Sequence, residues 1–225
     1  MVKPAKWLDT IALTLSVAVI SITAWWLLNS GFFNTLATDE RLTWHLIRAL
    51  GIAAYILLTT SMIWGLFIST QFVKNWSPGA LSVTMHSTIS WLALVLGGAH
   101  AALLLVDKYF QFSLADILIP FQGPYRPLFV GLGTLAFWAL IVVTVSFPLR
   151  KHIGYKLWKT IHLLSYLTFA MVTLHGLTAG TDGERLGVRL LMGIAVVAVV
   201  GLLGMRLRHV GQGEPAAVRQ IIQQS

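Results

Sequence analysis

Apolar positions in this chain come in long unbroken stretches, not in the alternating or every-third-residue patterns of half-buried strands and helices. Six stretches stand out, at about 7–29, 46–70, 83–106, 128–148, 157–179 and 187–205. Each is close to the roughly 20 residues a helix needs to cross the hydrocarbon of a bilayer. The connections are short. "GTDGER" at 180–185 reads as a turn, and Pro148 reads as the end of the fourth stretch. The longest connection, "DKYFQFSLADILIPFQGPYRPL", mixes aromatics with three prolines and is expected to lie along the outer membrane face. The pattern predicts an all-α polytopic membrane protein, a six-helix transmembrane bundle in one domain over 7–205. Residues 1–6 form a cytoplasmic N-terminus, and 206–225 form a polar cytoplasmic tail.

Composition agrees, with 56% hydrophobic and 11% charged residues, far less charge than a soluble domain carries. The net charge of +8 could suggest nucleic acid, but the basic residues sit at the ends of the apolar stretches. With six spans, ten Lys and Arg, among them Lys74, Arg150, Lys151, Lys156, Lys159 and Arg206, fall on one side. Six fall on the other, mixed with Asp39, Glu40, Asp107, Asp116, Asp182 and Glu184. The basic side is the cytoplasmic one. Both termini are therefore placed in the cytoplasm, in a multi-pass membrane protein with lipid and no nucleic acid as its surroundings. The first stretch is too long for a signal peptide and lacks a small-residue cleavage site, so it reads as an uncleaved span. The sequon "NWS" at 75–77 falls on the cytoplasmic side and reads as chance.

There is no cysteine, which excludes disulfides, iron–sulfur clusters and thiolate metal sites. "GLGTLA" at 131–136 matches a dinucleotide-binding fingerprint, but that loop needs a strand before it. Inside an apolar span small residues serve close helix packing, and "GLLGMR" at 201–206 is likewise read as a packing face.

Seven histidines remain. His152 and His209 sit among basic residues at the cytoplasmic side, and His45 opens the second span. The other four lie within spans three and five: His86 and His100, His162 and His175. Those spans run in the same direction, so His86 and His162 share one depth, and His100 and His175 another. Intramembrane histidines are costly and tend to be functional. Two depth-matched pairs on parallel spans suit bis-histidine ligation of two b-type haem irons in a bundle core. At 1.5 Å per residue the sites stand roughly 20 Å apart, too far for all four rings to share one metal ion. Gly97, Gly98 and Gly176, beside two of the histidines, would leave room for a porphyrin. Arg48 is a candidate cation for the outer propionates, Lys159 and Lys156 for the inner ones. The spacing of 14 in span three returns to within about 40° of one helix face, whereas the 13 in span five leaves about 140°. Span five must tilt, bend, change its winding, or present its two rings at different azimuths.

These residues resemble the ferric reductase-like transmembrane domain. That family includes the membrane half of NADPH oxidases and ferric reductases and the haem subunit of the bacterial methionine sulfoxide reductase system. The resemblance covers roughly residues 40–182. It rests on the histidines 14 apart in span three, the W-x-x-x-H of Trp158 and His162, and His175 thirteen residues later. "RALG" at 48–51 and "PYRPLFVGLG" at 124–133 also resemble bacterial members. It implies two b haems and an oxidoreductase electron-transport path from a cytoplasmic donor to an outer acceptor. No flavin- and nicotinamide-binding domain follows span six, so the donor is expected to be a separate flavin or nicotinamide protein, or quinol. The acceptor is a separate protein on the outer side. Two other readings stay open: a haem-bearing accessory subunit of a larger membrane complex, and a haem-free transporter using the histidines as a proton relay.

Overall fold

The computed structural model describes residues 6–73 and 79–212. The N-terminal residues, Lys74, the sequon at 75–77, the tail beyond Gln212 with Arg219, and the side chain of His209 lie outside the described residues. Six long helices appear: α1 (Lys6–Asn29), α3 (Glu40–Ser69), α4 (Gly79–Leu103), α6 (Pro127–Ile153), α7 (Tyr155–Thr178) and α8 (Leu186–Gln212). Short helices α2 (Phe32–Thr38) and α5 (Leu114–Leu118) and a 3₁₀ turn at Thr181–Glu184 fill the connections. Five of the long helices are long and apolar enough to cross a membrane. In α1 the described apolar stretch is Val17–Asn29, shorter than a span.

The helices pack as two tight hairpins, α3 with α4 and α6 with α7, which meet through α4 with α6 and α3 with α7. α8 lies along α3. It does so through Met192, Ala195 and Val199, a stripe at i, i+3 and i+7 that joins Tyr55, Leu58, Met62 and Leu66 of α3 in the core. Ala93 and Leu94 of α4, Leu140 of α6 and Phe169 of α7 complete this layer. Gly201 and Gly204 of "GLLGMR" lie off that stripe, exposed and with nothing within 4 Å. The packing in this stretch is carried by Leu202 and Leu203, which lie against the core, and not by its two glycines.

Local chemistry sets the helix ends. Asp39 caps α3, its carboxylate accepting from the Arg41 and Leu42 amides at 3.0 Å each, so the helix begins before its apolar stretch. Ser113 and Asp116 form a reciprocal capping box on α5, and these bonds hold the exposed Asp116 carboxyl below its usual range. Pro148 does not end α6. It removes one backbone donor to the Thr144 carbonyl, near the end of the helix, and the helix continues to Ile153. The stop is Gly154, in a positive-φ conformation at +83° that residues with a side chain avoid.

Candidate functional site

α3 and α4 run antiparallel, and the register between them repeats. His100 lies against Gly51, and His86 lies against Gly65, fourteen residues further along α3 just as His86 and His100 are fourteen apart on α4. In the other hairpin, His175 of α7 lies against Gly133 of α6. A methyl group at Gly51 or Gly65 would sit 3.0 Å from the facing ring, and one at Gly133 only 2.6 Å from His175 Nδ1. Glycine is what lets each imidazole lie on the neighbouring backbone.

The close approach has a specific product. His100 Nδ1 meets the Ile47 carbonyl at 2.7 Å, His86 Nδ1 the Ser61 carbonyl at 3.0 Å, and His175 Nδ1 the Phe129 carbonyl at 2.9 Å. Each carbonyl lies four residues before the glycine, so it is the one that also accepts the glycine's own helical N–H. A carbonyl can only accept, so Nδ1 carries the proton and Nε2 keeps its lone pair for a metal.

His162 departs from this rule. Among the described residues its ring has no hydrogen-bond partner; it stacks on Trp158, with centroids 5.4 Å apart and planes at 27°. α7 is α-helical throughout Tyr155–Thr178, so its winding does not change and the thirteen-residue spacing sends the two rings to different azimuths. Relative to a spacing of fourteen, His162 is turned by about 100°. At that level α6 presents Ser146 and Phe147 rather than a glycine.

Even so, the rings converge in two pairs. His86 and His162 have centroids 6.0 Å apart with planes at 76°, and His100 and His175 are 6.2 Å apart at 80°. Two imidazoles bound to opposite sides of one metal ion, each through a nitrogen about 2 Å away, have centroids roughly 6 Å apart. The donor set and its spacing therefore fit a bis-imidazole iron at both levels.

The other expected site residues are placed less directly. Gly97 and Gly98 face the Phe137 ring, and Gly176 faces the Met192 side chain, so helix packing occupies all three. Arg48 donates through Nε and Nη2 to both carboxylate oxygens of Asp182 and lies over the Trp44 ring. It thus ties α3 to the turn between α7 and α8. Lys156 and Lys159 are exposed, as are His45 and His152. Arg206 was legible only as a topology charge. It is half-buried, donates to the Tyr166 hydroxyl at 2.8 Å, and lies within electrostatic reach of His162. Gly51, Gly65 and Gly133 were also missed, although the fourteen-residue spacing shared by Gly51/Gly65 and His86/His100 was there to be read.

Five helices long and apolar enough to cross a membrane, packed in one all-helical bundle, describe a multi-pass membrane protein. A family model, the ferric reductase like transmembrane component, matches residues 50–173, more than half of the chain. The chain belongs to that family, and the bundle is a transmembrane electron-transfer module. The matched segment contains His86, His100 and His162 and stops two residues short of His175. No curated protein and no solved structure matches the chain.

Proposed function

We propose that this chain carries electrons across a bacterial inner membrane through two b haems. His86 and His162 would hold one on the cytoplasmic side, His100 and His175 the other on the outer side. The observation that carries this reading is the pair of facing imidazole couples, 6.0 and 6.2 Å apart, in a membrane bundle of this family. Each haem, when bound, supplies a one-electron site. The protein's part is to bind and orient it and to exclude water. Nδ1–H bonds to backbone carbonyls fix three of the four rings with Nε2 available, and the layer of Leu58, Ala93, Leu140 and Phe169 keeps the interior dry. Arg206, half-buried, bonded to Tyr166 and within electrostatic reach of His162, is a better placed cation for the cytoplasmic-side propionates than the exposed Lys156 and Lys159. No general acid or base is required, so the chain serves as the electron-transfer subunit of an oxidoreductase whose donor and acceptor are separate partners.

A reduced-minus-oxidised spectrum with haem quantification tests this. Low-spin b-type bands and two haems per chain are expected, falling to one in a His86→Ala/His162→Ala variant and to one in His100→Ala/His175→Ala. A chain that binds no haem, or variants that keep full haem content, would overturn it.

A further inference from the structure

The fourteen-residue register between α3 and α4 repeats a bond but not its surroundings. At one level the carbonyl that accepts from His100 belongs to Ile47, and four residues beyond His100 stands Leu104. Fourteen residues away, the same two positions hold Ser61 and Ser90. His175 bonds to Phe129, and four residues beyond it stands Ala179. Of the three anchored rings, His86 alone has hydroxyls at these positions.

Those hydroxyls close a ring of hydrogen bonds. His86 Nδ1 lies 3.0 Å from the Ser61 carbonyl and 3.2 Å from the Ser61 hydroxyl. Ser61 Oγ lies 2.7 Å from Ser90 Oγ, and Ser90 donates to the His86 carbonyl at 2.8 Å. This fixes every proton. The Ser90 hydroxyl is committed to the carbonyl, so Ser61 donates to Ser90, and Ser61 Oγ is left to accept from Nδ1–H. The Nδ1–H of His86 is thus shared between two acceptors, where His100 and His175 each have one carbonyl among the described residues. Ser61 is 4% exposed, and hydrogen bonds linked in series in a buried site strengthen one another.

A second acceptor draws the proton further from the ring and raises the basicity of Nε2, the atom left for a metal. A more basic axial ligand favours the more positively charged, oxidised iron. We infer, resting on the haem reading above, that Ser61 and Ser90 are positioning residues that lower the midpoint potential of the His86/His162 site, which favours transfer from it toward the His100/His175 site. The hydroxyl ring closes on His86 itself, so it tunes the imidazole without opening a proton path.

Potentiometric titration of the haem-loaded full-length protein, with haem per chain measured first, tests this. Ser61→Ala should raise the midpoint of one haem and leave the other unchanged. The expected shift is about two- to tenfold in the one-electron equilibrium, the worth of one hydrogen bond, or about 20 to 60 mV. The haem that moves should be the one retained in His100→Ala/His175→Ala. Ser90→Ala should move the same haem by less, because the Ser61 hydroxyl still accepts from Nδ1–H. Ser61→Thr keeps the hydroxyl and should bring the midpoint back toward wild type. An unmoved midpoint in Ser61→Ala, equal movement of both haems, or a Ser61→Thr midpoint no nearer wild type than that of Ser61→Ala would each overturn the inference. Should Ser61→Ala fail to fold, Ser90→Ala at its less buried position decides, and an unmoved midpoint there overturns it. Absence of haem altogether would instead overturn the parent reading.

Discussion

Glycine does its work here by having no side chain at three contacts rather than by its backbone freedom. Gly51, Gly65 and Gly133 lie inside helices, where glycine is less favourable than alanine by roughly 1 kcal/mol. Each is matched to an imidazole that a methyl group would crowd, by a few tenths of an ångström at Gly51 and Gly65 and by more at Gly133. Substitution by alanine should therefore separate two effects. Helix propensity alone predicts slightly greater stability, while the lost Nδ1–H anchor predicts weaker haem retention. Because the added methyl would be 2.6 Å from the ring at Gly133 and 3.0 Å at Gly51, Gly133→Ala should lose haem more readily than Gly51→Ala. The loss should be about tenfold or more in affinity, read as the haem-to-protein ratio by pyridine haemochrome. Equal haem content in wild type and both variants would mean that these glycines serve helix packing alone.

At the scale of elements, the buried ion pair of Arg48 with Asp182 fixes the α7–α8 connection to α3. The two side chains are 17% and 10% exposed, and Asp182 also pairs with the exposed Arg185 at 3.1 Å, so removing the carboxylate leaves Arg48 as the poorly hydrated, unpaired charge. Asp182→Asn should destabilise the bundle by about 3 kcal/mol, visible as a lower thermal unfolding midpoint, while Arg48→Met/Asp182→Leu should recover much of that loss. If the double variant is no better than the single one, Arg48 has a further partner such as a cofactor carboxylate. The same elements show what the sequence could reveal. Spans, paired histidines and the oddity of thirteen were legible because apolar length and residue spacing are properties of one helix at a time. The glycine–carbonyl anchors and the Arg48–Asp182 pair depend on register between helices, which no single stretch encodes. Pro148 misled for a related reason: a missing donor costs little near a helix end, and the true stop, Gly154, is set by its positive φ.

Across the whole molecule, the two imidazole pairs form a series. Fourteen residues of α4 separate His86 from His100, about 21 Å at the rise of an α-helix, which is most of the roughly 30 Å hydrocarbon layer. Each pair alone leaves a gap comparable to that separation on one side, so transfer across the membrane should need both. In sealed vesicles enclosing ferricyanide, with reductant outside, the haem-loaded protein should reduce the trapped acceptor. The rate should fall to the protein-free background in either His86→Ala/His162→Ala or His100→Ala/His175→Ala, although each keeps one haem. A subunit that carries haem without conducting would bind two haems and leave the trapped ferricyanide untouched. A variant that lacks one pair and still conducts would show that the sites act in parallel, and the depth matching of the histidines would then have no electron-transfer role.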